Sequence, residues 1–85
     1  MLVDFGSRYC GACKKLAPTV DELEKEHAST IKVIRIEAYE NKELVKQLGI
    51  TSLPTLVLYK GNKEFWKKAG VTPKSEIQAS IAEAL

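Results

Sequence analysis

Between Leu2 and Glu37 the chain reads as a short apolar run, a long amphipathic stretch and a second, branched run, and that alternation constrains the fold more than any other feature. Leu2 to Phe5 is too short for a helix and is ended by Gly6 and Ser7, so it predicts a strand. From Cys10 to about Ala28 the apolar positions Cys13, Leu16, Ala17, Val20 and Leu23 recur at three- and four-residue steps, with Glu22, Glu24, Lys25 and Glu26 opposite. This is the pattern of an amphipathic helix. Pro18 lies inside it, removing a backbone donor and predicting a kink. Ile31 to Glu37 alternates Ile31, Val33 and Arg35 with Lys32, Ile34 and Ile36, and its branched residues predict a second strand. When two such strands share a sheet, the helix between them forms a right-handed parallel crossover.

The remainder completes a single layer of sheet. A short helix is expected from about Asn41, as N-cap, to Leu48, closed by Gly49. Thr55 to Tyr59 is a continuous apolar strand, and the Lys60-Gly61-Asn62-Lys63 cluster turns it into an antiparallel strand from Glu64 to Ala69. Thr72 as N-cap with Pro73 at the first helical position opens a last helix whose Ile77, Ile81, Ala84 and Leu85 form the buried stripe. The order is strand, helix, strand, helix, strand, strand, helix, without repeat or linker. An 85-residue chain accommodates it as one α/β domain over residues 1–85.

Charge narrows the partners. Thirteen basic and 11 acidic residues are scattered without a basic stripe to track a phosphate backbone, so nucleic acid is not an expected partner. Asp4 interrupts the N-terminal run before it reaches the length of a signal peptide or membrane span, which makes a membrane association unexpected and a cytoplasmic setting the default expectation. A monomer is expected.

Two cysteines are too few for a disulfide-stapled scaffold, and a crosslink between neighbours closes only a tiny loop. They are chemical before they are structural. Cys10-Gly11-Ala12-Cys13 stands where a strand ends and a helix begins. A sulfur there faces unpaired backbone N–H groups and the positive end of the helix dipole, so Cys10 is expected to ionise more readily than a free cysteine and to attack. Cys13 lies one turn further in, on the stripe with Leu16 and Ala17, and is expected to be shielded and to resolve the mixed disulfide. No cofactor beyond this dithiol is expected. Asp4, on the strand beneath, has two readings: a buried carboxyl that takes the proton from Cys13, or a solvated acid at a frayed N-terminus. Zinc needs about four ligands, and two cysteines with His27 at the far end of the same helix do not complete a set within one chain, although a dimer sharing two pairs would.

Val3-Asp4-Phe5, Tyr9-Cys10-Gly11-Ala12-Cys13-Lys14, Pro18, Leu53-Pro54-Thr55 and Gly70, in this order and on these elements, resemble the thioredoxin family across nearly the whole chain. The resemblance implies a thioredoxin-like fold with a central four-stranded mixed sheet and three helices, lacking the family's usual first strand and helix, so that Ile31–Glu37 becomes an edge. It implies a cis Leu53–Pro54 bond and a docking surface made of Tyr9, Gly11, Ala12, Leu53, Pro54, Gly70 and Val71. It also implies protein-disulfide substrates and an upstream reductase as partners.

The sequence departs from the family pattern at four places. Gly6 and Ser7 stand for tryptophan and alanine, Tyr9 for another tryptophan, and Ala12 for the proline between the cysteines. These changes leave open an oxidase or isomerase that runs the same exchange in reverse, and a binding module that uses only the Pro54 loop. Arg35, where the family often carries lysine, either holds Asp4 ionised or is a solvated charge. Trp66 is expected to pack, His27 to favour the helix C-terminus, and Lys14 and Lys15 to solvate an exposed face.

Overall fold

A computed structural model describes residues 1–85. Its elements are β1 (Leu2–Gly6), α1 (Gly11–Glu26), β2 (Val33–Glu37), a 3-10 turn (Ala38–Glu40), α2 (Lys42–Gln47), β3 (Thr55–Lys60), β4 (Lys63–Ala69) and α3 (Lys74–Ala84). The four strands form one mixed sheet in the order β2-β1-β3-β4. β1 and β2 are parallel, with Asp4 opposite Arg35, and the other two pairings are antiparallel. The fold is thioredoxin-like, as the resemblance implied, with β2 at an edge.

The period-two alternation of strands divides the core in two. On one face Leu2, Leu56 and Leu58 pack with Leu16, Val20 and Leu23 of α1 and with Ile77 and Ile81 of α3. On the other, Val3, Phe5 and Val57 pack with Ile50, and Val45, Leu48 and Leu53 close over them. Trp66 packs against the first cluster, in the structural role expected of it. Because Leu2 faces α1, so do Asp4 and Gly6, two and four residues on. Alternation alone therefore carries a carboxyl to the underside of the cysteine helix.

Four local expectations need correction. β2 begins at Val33 rather than Ile31, because the N–H groups of Thr30 and Ile31 both turn back to the His27 carbonyl at the end of α1. Asn41 stands at the N-cap of α2 without capping it; its Nδ2 donates to the Glu37 carbonyl at 2.9 Å. Thr72 does not cap α3. Its hydroxyl donates to the Gly70 carbonyl at 3.1 Å, and Pro73, which has no side-chain acceptor, takes the N-cap position. Leu85 is 69% exposed where burial was expected, and Ser80 fills the stripe instead, its hydroxyl satisfied by the Ile77 carbonyl at 2.7 Å. The helix ends at Ala84, so Leu85 lies past the last turn that the sheet supports.

Candidate active site

Three chain segments converge at one end of the sheet: the loop leaving β1, the loop entering β3 and the loop leaving β4. Register enforces this, since Phe5 pairs with Thr55 and Thr55 with Ala69, so Gly6, Pro54 and Gly70 are carried to neighbouring positions. The Gly70 N–H donates to the Pro54 carbonyl at 2.8 Å. The Leu53–Pro54 peptide is cis, as the resemblance implied. Gly70 has a φ of 89°, a conformation that favours glycine and turns the chain out of β4. Val71 follows it at 51% exposure.

The loop between β1 and α1 is shaped by Ser7 and Glu37. The Ser7 hydroxyl accepts from the Tyr9 N–H at 3.1 Å, and the Ser7 carbonyl accepts from the Cys10 N–H at 3.2 Å, a local turn that aims the chain into the helix. Glu37, at the end of β2, accepts from the N–H groups of Arg8 and Tyr39 at 3.0 Å each, and these two bonds hold its carboxyl below its ordinary value. The Arg8 side chain reaches Glu40 at 2.6 Å, and the rings of Tyr9 and Tyr39 lie 6.2 Å apart. Tyr39 and Leu53 border a cavity of about 550 Å³ beside α2.

Cys10 is the N-cap of α1, and its Sγ accepts from the Cys13 N–H at 3.2 Å. A donor aimed at a sulfur, at the positive end of a 16-residue helix, is the arrangement that stabilises negative charge there. Both thiols are free. Gly11 is exposed and Ala12 half-buried beside them. Cys13 is half-buried, less shielded than its place on the stripe suggested, because no side chain at Gly6 covers it. Burial nevertheless pushes its thiol up to about 11, with its bond to Cys10 acting in the same direction and a backbone contact at Ser7 opposing.

Of the two readings of Asp4, the solvated one does not hold. Asp4 is half-buried on the α1 face of an interior strand, and the Met1 ammonium, at the start of that strand, donates to the Tyr59 carbonyl, so the N-terminus is not frayed. Burial raises the Asp4 carboxyl above its ordinary 3.8, and Arg35 pulls the other way without reversing the shift. Arg35 is occupied elsewhere: it bonds Asp21 and Glu24 of α1 at 2.5 and 3.1 Å, tying β2 to the helix. Asp4 Oδ1 and Cys13 Sγ lie within 3.7 Å of one point, the place a Gly6 Cβ would occupy. No group of three or more His, Cys, Asp or Glu side chains is arranged to hold a metal ion.

Sequence reasoning missed the parts played by Ser7, Glu37 and Tyr39. Ser7 had a local signal, a hydroxyl two residues before the N–H it caps, whereas Glu37 and Tyr39 reach the site only across the β1–β2 pairing.

A helix-capping cysteine, a second cysteine one turn on and a raised carboxyl beneath them, on this sheet, define the class of dithiol–disulfide exchange proteins. The thioredoxin family model matches residues 1–83. Thioredoxin of Alicyclobacillus acidocaldarius is 38% identical over the whole of this chain and 81% of its own length, and thioredoxin of Bacillus subtilis is 33% identical over the whole chain and 82% of its own. Among solved structures, the thioredoxin of Fasciola hepatica superimposes with a TM-score of 0.89 at 27% identity, covering 99% of this chain and 79% of that one. The chain belongs to the thioredoxin family. It is a thiol–disulfide oxidoreductase that reduces protein disulfides. Thioredoxins act on disulfide-containing protein substrates and are themselves reduced by a reductase. No helix is long and apolar enough to cross a membrane.

Proposed function

We propose that Cys10 is the attacking sulfur, Cys13 the resolving sulfur and Asp4 the base that serves Cys13. The observation that carries this assignment is the difference in what each sulfur meets: a backbone N–H at 3.2 Å for Cys10, burial beside a carboxyl for Cys13. The Cys10 thiolate attacks one sulfur of a substrate disulfide, and the S–S electron pair leaves with the other. Cys13, losing its proton to Asp4, then attacks the Cys10 sulfur of the mixed disulfide; that bond breaks, the substrate leaves as a thiol and Cys10–Cys13 is the new disulfide. Two electrons and two protons pass to the substrate in all.

The docking surface consists of Tyr9, Gly11, Ala12, Leu53, Pro54, Gly70 and Val71. Its support is the convergence of three loops at one sheet end and the 76% exposure of Tyr9, an aromatic left without cover next to the attacking sulfur. An extended substrate segment lies across the Pro54 loop. Residues 1–83 match a single family model, which supports one domain; the working unit proposed for it is the monomer. Reduction as the working direction calls for a reducing compartment such as the cytoplasm, where the dithiol is kept charged.

Insulin reduction in the presence of dithiothreitol tests the reading. Turnover that disappears in Cys10→Ser is the expected result. Undiminished turnover in that variant, or none in the unaltered chain, contradicts it.

A further inference from the structure

Gly6 ends β1 against Cys13 with no side chain to fill the space. A Cβ there would stand 3.3 Å from Cys13 Sγ, closer than ordinary contact, and 3.7 Å from Asp4 Oδ1. The backbone does not demand glycine at this position, because positive φ occurs only at Gly49, Gly61 and Gly70. What glycine provides is room. In place of a side chain lies a cavity of about 370 Å³, the size of a small-molecule site. Cys13 is on its wall and Cys10 is not. Three cations, Arg8, Lys14 and Arg35, line it against two carboxylates, Asp4 and Glu37. Arg8 and Arg35 are engaged by Glu37, Glu40, Asp21 and Glu24, which leaves Lys14 as the cation without an ion pair.

We propose that the Gly6 opening is a second entrance to the redox centre, through which a low-molecular-weight thiol carrying a carboxylate attacks Cys13 of the oxidised protein and restores the dithiol. The proposal rests on the dithiol chemistry assigned above and adds the class of small reductant. Exchange at sulfur is in line, so the sulfur that leaves lies opposite the one that attacks. A thiolate arriving from a wall that lacks Cys10 meets Cys13 with Cys10 as the leaving sulfur. The Cys10–Cys13 bond breaks, its electron pair goes to Cys10, and the small thiol is bonded to Cys13. A second molecule of thiol attacks the outer sulfur of that mixed disulfide; the electron pair returns to Cys13, which is reprotonated, and the small disulfide departs. Two thiols are oxidised to one disulfide, and the protein disulfide gains two electrons and the two protons they release.

Exchange through the entrance is reversible, and the proton affinity of Cys13 slows its attack on a small disulfide and its departure in the second step alike. In the reduced protein Cys13 holds its proton, its thiol pushed up to about 11, and is a poor nucleophile towards a small disulfide. In the oxidised protein Cys13 is the atom attacked, and its affinity for a proton does not hinder the first step. Lys14 supplies the attraction for the carboxylate.

The test uses the oxidised full chain and reduced glutathione, quenched with iodoacetamide and mapped by tandem mass spectrometry. The expected product carries glutathione on Cys13 and carbamidomethyl on Cys10; glutathione on Cys10, or no adduct, overturns the proposal. Gly6→Val, which fills the cavity, is expected to slow reduction by glutathione about tenfold, and an unchanged rate counts against the entrance. Lys14→Glu, on an exposed face where folding is not at stake, is expected to slow glutathione about threefold and to speed cysteamine, a cationic thiol of similar reactivity. An equal effect on both thiols overturns the carboxylate preference. Should insulin reduction fail in the unaltered chain, the parent reading falls; should it hold while glutathione lands on Cys10, only this inference does.

Discussion

Cys10 and Cys13 are one turn apart on the same helix, and they meet opposite surroundings. Cys10 caps α1, receives a backbone N–H and stands beside the exposed Tyr9. Cys13 faces the sheet, where burial raises both its thiol and the Asp4 carboxyl. The difference teaches that sequence proximity does not assign a role. One sulfur belongs to the end of a helix, the other to the face of a sheet, and the fold joins the two environments at a four-residue motif.

The comparison breaks most visibly if the two thiols prove interchangeable. Cys10→Ser is expected to reduce insulin turnover to the rate of dithiothreitol alone, the largest effect, measured by the turbidity of the released chain. Asp4→Asn comes next. With the carboxyl as base, turnover should fall about 100-fold. The unaltered chain should lose rate as pH drops through the raised Asp4 value, because the base is then protonated, whereas Asp4→Asn should show no such limb. Stability moves the other way. A carboxyl whose folded value is raised binds more protons folded than unfolded, so stability falls as pH rises above 3.8 and through the folded value. At neutral pH Asp4→Asn should therefore be the more stable chain, by about 1.4 kcal/mol for each unit that folding lifts the carboxyl, as read from urea midpoints.

Two smaller effects sharpen the contrast. In Cys10→Ser, alkylation of the remaining Cys13 should follow pH with a midpoint near the value of about 11 that burial sets; removing Cys10 takes away two secondary contributions, its hydrogen bond and its charge, and lowers it somewhat. A midpoint at the ordinary 9.0 would mean that Cys13 is not sheltered at all. Val71→Glu, on the proposed docking surface and away from both sulfurs, should raise KM for insulin about fivefold and leave kcat alone, the cost of about 1 kcal/mol typical of a contact that is not a hot spot.

Much of this was legible in the sequence where periodicity carried the information. Leu2 to Phe5 was legible as a strand and the run from Cys13 to Leu23 as the helix over it, whereas the side of the strand on which Asp4 lies stayed open between two readings. Capping was less legible. Thr72 and Asn41 are the right residue types for N-caps, but each donates instead to a carbonyl a few residues earlier, Gly70 for Thr72 and Glu37 for Asn41, a local alternative that competes with capping. Glu37 and Tyr39 were missed because their contacts with the Ser7–Tyr9 loop span about thirty residues and exist only once β2 pairs with β1. Gly6 was visible as a departure from the family pattern, yet its consequence, an uncovered Cys13 sulfur, required the position of that sulfur in space.

The division of labour between the sulfurs is tested most directly by trapping. Cys13→Ser, reduced and mixed with insulin, is expected to accumulate a mixed disulfide that peptide mapping assigns to Cys10, since the sulfur that would resolve it is gone. Cys10→Ser under the same conditions should accumulate none. Adducts formed to the same extent through Cys13 in that second variant would contradict the assignment of attacker and resolver.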